Sequence, residues 1–144
     1  MIRYLLDVNV LLALIDPDHT WHSTAHEWFE AETNRAWATC PLTENGVLRI
    51  AGNSRYPNTP GSPGEVAKLM VRLRHVPGHD FWPDDVSLLE ERYIDTSRLT
   101  DARQITDTYL LALASSRNGK LATFDKRLVT NAVRDGKHAL HVIA

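Results

Sequence analysis

Apolar positions in this chain come in short runs separated by polar, proline- and glycine-rich punctuation. Residues 2–6 form a short apolar run and predict a buried strand. Residues 8–15 predict a helix, stopped by Asp16-Pro17-Asp18. A second helix over about 20–31 places Trp21, Ala25, Trp28 and Phe29 on one side. Residues 36–40 predict a second strand, closed by Pro41, and a helix carrying Glu44 runs on to about Ala51. Residues 52–63 are rich in Gly, Asn, Ser and Pro and predict a loop. Ser62-Pro63-Gly64-Glu65 then reads as a helix start, with a Ser cap, Pro in the first position and Glu three residues after the cap. Val66, Leu69, Met70 and Leu73 form its buried stripe, and Pro77-Gly78 ends it. A third strand is predicted over 80–82 and a short helix over 84–93. The helix carrying Asp107 extends to about Arg117 and ends at Asn118-Gly119. A strand over 120–124, a helix opening at Asp125 and a last strand over 139–143 complete the chain.

Short apolar strands alternating with helices predict an α/β fold with a mostly parallel sheet of four to five strands, covered on both faces. The length of 144 residues suits one domain over 1–144, with a substantial core. A net charge of −2 gives no global attraction for nucleic acid, so any such site is a local patch. Cys40 is the only cysteine, which excludes an intrachain disulfide and fits a reducing compartment. The N-terminal apolar stretch is interrupted by Asp7 and Asn9, too short and polar for a signal peptide or a membrane span. A cytoplasmic protein is expected.

Four acids share one spacing. Asp7 is followed by Val10, Leu11 and Leu14, Glu44 by Val47, Leu48 and Ala51, Asp107 by Leu110, Leu111 and Ala114, and Asp125 by Leu128, Val129 and Ala132. Apolar residues at i+3, i+4 and i+7 put each carboxylate at or beside the core-facing stripe of a helix, in its first turn. Asp as an N-cap produces the same offsets. Glu44 and Asp107 escape that reading, because Glu is a poor cap and Thr43 and Thr106 stand one residue earlier, where a hydroxyl would serve. An unpaired buried charge is costly, so four such acids call for four bases or a cation.

Ligands of open α/β sheets lie beyond the carboxyl ends of the strands, where Asp7, Asp125 and Glu44 are all predicted. Four carboxylates without a partner lysine suit a hard cation such as Mg²⁺ or Mn²⁺. Two like charges about 4 Å apart repel by roughly 4 kcal/mol at an effective dielectric near 20, so without metal one acid should hold a proton. A cation there can activate water and neutralise a phosphoryl oxygen, the requirements of phosphodiester hydrolysis.

The residues around these acids also carry a resemblance. Leu5-Leu6-Asp7-Val8-Asn9-Val10-Leu11, Leu42-Thr43-Glu44, the run Ile105-Thr106-Asp107-Thr108-Tyr109-Leu110-Leu111-Ala112-Leu113-Ala114, and Ala122-Thr123-Phe124-Asp125 resemble the motifs of PIN-domain ribonucleases. More narrowly they resemble the VapC-type toxins of bacterial toxin–antitoxin pairs, one subgroup of which is also similar at Cys40-Pro41-Leu42-Thr43-Glu44 and Phe81-Trp82-Pro83. The resemblance covers nearly the whole chain. It implies a PIN-like three-layer α/β/α fold and a Mg²⁺- or Mn²⁺-dependent endoribonuclease. Its core acids would be Asp7, Glu44 and Asp107, with Asp125 the fourth. Asp7 and Asp107 would hold the metal most directly, and Glu44 and Asp125 would complete the site or hold waters. Asn9 and Thr123 would orient these groups by hydrogen bonds; a local backbone bond is the competing role. A small antitoxin covering the cleft, and a toxin homodimer, are implied as well. Where the subgroup often has His-Arg-Gln before the third acid, this chain has Ala102-Arg103-Gln104, which removes a substrate contact at 102.

Further groups bear on RNA. Lys68, Arg72 and His75 form a basic stripe, and Arg49, Arg55 and Tyr56 flank the loop; Arg103 precedes the third acid. These suit phosphate contact and base stacking, or simply a solvated face. His19, His22 and His26 share a helical face and could suggest zinc, but Trp21, Trp28 and Phe29 favour a packing helix with wet histidines. Trp37 and Trp82-Pro83 read as core or dimer contacts, Cys40 as an inert buried thiol, and Gly52, Gly61 and Gly64 make no phosphate loop. Two rival functions share the α/β build. One is a phosphatase or receiver using Asp7, opposed by Asn9 where a second acid belongs and served only by Lys120 as late lysine. The other is a non-catalytic RNA- or protein-binding domain, which intact acids oppose.

Overall fold

The computed structural model describes residues 2–32 and 36–144. Along the chain run β1 (Tyr4–Leu6), α1 (Val8–Ile15), α2 (His22–Glu32), β2 (Trp37–Thr39), α3 (Pro41–Ala51), α4 (Pro63–Arg74), β3 (His79–Phe81), α5 (Ile105–Ser116), β4 (Lys120–Thr123) and β5 (Leu140–Val142). The five strands form one sheet in the order β3-β2-β1-β4-β5, with every pairing parallel. Side chains alternate across it. Tyr4, Leu6, Trp37 and Ala122 pack with α1 to α4, whereas Leu5, Ala38 and Leu121 pack with α5 and the segments around Ile94, Leu128 and Val133. The expected three-layer α/β/α arrangement follows from this period-two alternation. Trp37 and Trp82 are both core residues. Among the described residues, no helix is long and apolar enough to cross a membrane.

The strand order reverses between β1 and β4, and the crevice beyond their carboxyl ends is the switch point of the sheet. Asp7 follows β1 directly and Asp125 lies just past β4. Helix α3 leaves the carboxyl end of β2, so its first turn, with Glu44, starts on the same rim. Helix α5 returns to the amino end of β4, which puts its own first turn, with Asp107, over that rim too.

Two predicted helices are absent. Asp125 opens a turn, and the apolar offsets that follow it do not mark a helix. Asp95 N–H donates to Ala132 O at 2.8 Å and Arg134 N–H to Tyr93 O at 2.9 Å. Ile94 and Val133 form an antiparallel bridge, so the backbone of this segment pairs laterally instead of with itself. Residues 84–93 form isolated turns, such as Glu90 N–H to Ser87 O at 3.2 Å, and Leu89 is exposed where a stripe would bury it.

Smaller corrections concern α2 and the caps. Trp21 precedes α2 and is 43% exposed, stacked on Phe124 with ring centroids 5.2 Å apart. The histidines are not wet: His22 Nδ1 lies 2.7 Å from Ala13 O, and His26 Nε2 lies 2.9 Å from Leu14 O. These are orphan carbonyls at the end of α1. Pro17 has no N–H for Ala13 O, and Asp18 N–H is given to the Asp16 carboxylate at 3.0 Å. Neither Thr43 nor Thr106 is a cap. Helix α3 starts at Pro41, and Thr43 reaches back from its first turn to accept from Cys40 N–H at 3.1 Å. Helix α5 starts at Ile105 after Gln104.

At the end of α5, Asn118 takes the left-handed conformation with φ 54°, as the Asn-Gly pair predicts. Gly119 lets β1 approach: a Cβ there would meet Arg3 O at 2.5 Å and Trp82 Cη2 at 3.0 Å. Gly64, in the first turn of α4, has only Ser62 Oγ at 3.6 Å. Gly119→Ala is therefore expected to lower stability by about 1–3 kcal/mol. Gly64→Ala should raise it by about 0.5–1 kcal/mol. Urea melts of both variants check the opposite signs.

Candidate active site

Asp7 is buried at 7% exposure and is the N-cap of α1. Its Oδ1 accepts from Val8 N–H at 2.8 Å, and its Oδ2 accepts from the Thr123 hydroxyl at 2.7 Å. One oxygen of this carboxylate thus caps α1, and the other is bonded to the end of β4. Thr123 Oγ1 also accepts from Asn9 Nδ2 at 3.2 Å and from Asp125 N–H at 3.1 Å, while Asn9 Oδ1 accepts from Phe124 N–H at 3.4 Å. Asn9 and Thr123 thus bond both to the side-chain group around Asp7 and to nearby backbone at Phe124 and Asp125. Asp125 Oδ1 accepts from Arg127 N–H at 2.9 Å, a local turn contact.

Three of the four acids feel one another. Burial raises the Asp107 pKa to about 6, and the charges of Asp7 and Asp125 add to it; no basic side chain opposes them. Burial also raises Asp7, helped by the charge of Asp125 and opposed by the bonds from Thr123 and Val8. Glu44 differs. Its Oε2 accepts from the Thr39 hydroxyl at 2.7 Å and lies 3.4 Å from Arg74 Nη1. The expectation of four acids without a basic partner is therefore corrected at Glu44. Arg74 lies thirty positions further along the chain, and no local pattern announces the pair. The adjoining cavity, of about 110 Å³, is lined by Glu44, Leu48, Ala67, Met70, Val71 and Arg74.

Among the described residues, no three His, Cys, Asp or Glu side chains stand close enough to hold a metal between them. The donors that converge electrostatically, Asp7, Asp107 and Asp125, are nonetheless all carboxylates, a set that fits a hard divalent cation. The zinc reading of His19, His22 and His26 is not supported, since two of the rings are bonded to α1 carbonyls. Burial pushes the Cys40 thiol up to about 11, which suits an inert core residue. Lys120 pairs with Tyr4 at the amino end of β4, away from Asp7, which removes it from a receiver-like role.

The expected RNA contacts lie elsewhere on the surface. Arg55 lines an open groove with Arg49, Ile50, Asn53, Tyr56 and Pro57. Tyr56 donates its hydroxyl to Asp16 at 2.6 Å, so it is an anchored ring. Lys68 pairs with Glu65 at 3.2 Å, Arg72 is exposed on α4, and Arg103 pairs with Asp101 at 2.8 Å.

A PIN domain family model matches residues 4–133. The chain belongs to the PIN domain family. Among its relatives, Ribonuclease VapC44 of Mycobacterium tuberculosis is 45% identical over 131 residues, 91% of this chain and 92% of the relative. Ribonuclease VapC39 of the same organism is 39% identical over 128 residues, 89% of this chain and 92% of the relative. Ribonuclease VapC38 is 39% identical over 139 residues, 96% of each chain. Within this PIN domain all four acids lie inside the matched span.

The raised Asp107 pKa sets a pH dependence. The folded carboxyl keeps its proton to about pH 6, whereas an unfolded one releases it near about 3.9. Between those values the folded carboxyl binds more protons, so the contribution of Asp107 to metal-free stability falls as pH rises from about 4 to about 6. His79, lowered to about 4 mainly by burial, gains stability as pH rises over the same range, so the Asp107 share is read as the difference between parent and variant. Asp16 does not bear on this range. Burial raises it, but bonds from Tyr56, Asn58 and Asp18 lower it overall, so its effect lies at more acid pH. Asp107→Asn should gain stability relative to the parent as pH rises from about 4 to about 6, and match or exceed it at pH 7. A first-turn acid retained only for the helix dipole would instead make the variant up to about 1 kcal/mol less stable there. Melts from pH 4 to 8 in EDTA distinguish the two.

Proposed function

We propose that this protein is a metal-dependent endoribonuclease that acts as the toxin of a toxin–antitoxin pair, with 1–144 as one nuclease domain. The observation that carries the reading is the placement of Asp7, Asp107 and Asp125 beside the switch point of the sheet, where burial, with the charges of Asp7 and Asp125 adding to it, raises Asp107 to about 6. Relatives named as VapC ribonucleases, matching over nearly their full length, support it.

Mg²⁺ or Mn²⁺ would be held most directly by Asp7 and Asp107, with Glu44 and Asp125 completing the site. When bound, the cation supplies an activated water and neutralises charge on the scissile phosphate. Thr123 holds Asp7 Oδ2 and the Asp125 backbone, and Asn9 holds Thr123, so the acids keep their places as substrate arrives. The half-buried Asp107, raised to about 6 by burial and by the charges of Asp7 and Asp125, is the acid whose ionised form a cation would favour. Arg55, Tyr56, Lys68, Arg72 and Arg103 are proposed to meet RNA backbone and bases. A small cognate antitoxin would cover the cleft, and a homodimer in the cytoplasm is the proposed working form.

Incubation of the full chain with a mixed cellular RNA pool, in Mn²⁺, Mg²⁺ or EDTA, tests this. Cleavage should need metal and should fall in Asp7→Asn by more than about 100-fold, the upper end of what losing a supporting group around a metal costs. Equal cleavage by parent and Asp7→Asn, or cleavage in EDTA, would overturn it.

A further inference from the structure

Glu44 is the one acid of the four whose charge is answered within the described residues, and the way it is answered is specific. Thr39 closes β2 and is fully buried. Its hydroxyl contacts Glu44 Oε2 at 2.7 Å and His79 Nε2 at 2.7 Å. A hydroxyl has one proton, and a carboxylate accepts only. Thr39 therefore donates to Glu44, and His79 must donate to Thr39, which fixes the Nε2–H tautomer. His79 is held neutral for that purpose: burial, aided by the charges of Arg74 and Arg3 and opposed by Asp80, lowers its pKa to about 4.

Arg74 reaches the same carboxylate oxygen from the other side, at 3.4 Å. It is the last residue of α4, and its guanidinium lies over the Phe81 ring, 5.2 Å from the centroid. Phe81 is the register partner of Thr39 on β3. The sheet thus seats both holders of Glu44 side by side. An exposed ion pair would contribute little, but the Glu44 side chain is only 18% exposed. Both contacts fall on Oε2, and Oε1 makes no hydrogen bond among the described residues.

We infer that Thr39, Arg74 and His79 are positioning residues for Glu44, gripping Oε2 from two sides so that Oε1 is the atom left for a divalent cation. This rests on the nuclease reading and adds residues to it that the acid pattern does not contain. His79 acts through Thr39, and Arg74 acts through Glu44.

The test uses the full chain, with Mg²⁺ alone as the probe in thermal melts, followed by kcat and KM on an RNA that the parent cleaves. Thr39→Val and Arg74→Ala should each raise the half-saturating Mg²⁺ concentration about tenfold, as loss of groups that orient a metal ligand does. They should lower kcat with little change in KM. Thr39→Ser and Arg74→Lys should recover most of both. Mg²⁺ dependence and kcat unchanged in Thr39→Val and Arg74→Ala would overturn the inference, making the network structural only. A change confined to KM in Arg74→Ala would overturn it by making Arg74 a phosphate contact. Tighter Mg²⁺ binding in Arg74→Ala would overturn it by making Arg74 a competing charge. If Thr39→Val does not fold, the comparison of Arg74→Ala with Arg74→Lys decides alone. Mg²⁺ stabilisation lost in Asp107→Asn but intact in the Thr39 and Arg74 variants refutes only the positioning roles. A parent that Mg²⁺ does not stabilise overturns the nuclease reading and this inference together.

Discussion

The hydrogen bond from the Thr123 hydroxyl to Asp7, 2.7 Å long, joins the ends of the two central strands at the place where the sheet changes direction. A carboxylate at 7% exposure is tolerated only when its oxygens are bonded. One oxygen uses the first N–H of α1, which is free because no residue precedes it in the helix. The other uses Thr123, whose own acceptor capacity is filled by Asn9 and by the Asp125 backbone. Asp7, Asn9, Thr123 and Asp125 are thus one hydrogen-bonded unit, and moving any member leaves a polar group of another without a partner.

Around that unit the charge is distributed unevenly. Burial raises both Asp107 and Asp7; the charges of Asp7 and Asp125 add to it at Asp107, and the charge of Asp125 adds to it at Asp7. Glu44 stands apart, with a hydroxyl and a guanidinium on one oxygen. If Glu44 were unanswered as well, four repelling carboxylates would bear on one rim, and the lowest-energy response would be protonation or splaying of a side chain. Arg74 answers Glu44 with an opposite charge, which leaves the repulsion among Asp7, Asp107 and Asp125. Glu44 is thus held by a hydroxyl and a guanidinium, whereas Asp107 is the acid on which burial and neighbouring negative charge bear.

Much of this was legible in the chain, and the failures are instructive. The i+3, i+4, i+7 pattern located the first turns of α1, α3 and α5, because in each a real helix lays its apolar stripe on the sheet. After Asp125 the same offsets are produced by a different cause. Leu128 and Ala132 are buried, but by a segment that bonds laterally to residues 93–95. Periodicity reports burial, and it reports helix only when the backbone has no better partner. Residues 84–93 failed for a related reason: local turns satisfy their N–H groups without a continuous ladder. The pairing of Glu44 with Arg74 was illegible because it depends on α4 ending beside β2 and β3, which is a property of the register and not of any local motif. His22 and His26 looked like metal ligands or wet residues, since only the position of Pro17 reveals that α1 leaves carbonyls needing donors.

Helix α1 links the acid rim to the loop that bears Arg55. At eight residues it is about 12 Å long, and it is fastened at both ends. Asp7 holds its start. At its far end His22 and His26 hold the carbonyls of Ala13 and Leu14, and Asp16 accepts from Tyr56 at 2.6 Å and Asn58 at 3.1 Å. The Gly-, Asn- and Pro-rich composition of 52–60 would by itself suggest a segment with little preferred geometry. Two bonds to a buried carboxylate impose one instead, and they impose it relative to the helix that begins at Asp7. On the proposed reading, an RNA phosphate met by Arg55 would be set at a defined distance from the acids, because a short helix pinned at both ends transmits position without needing to move.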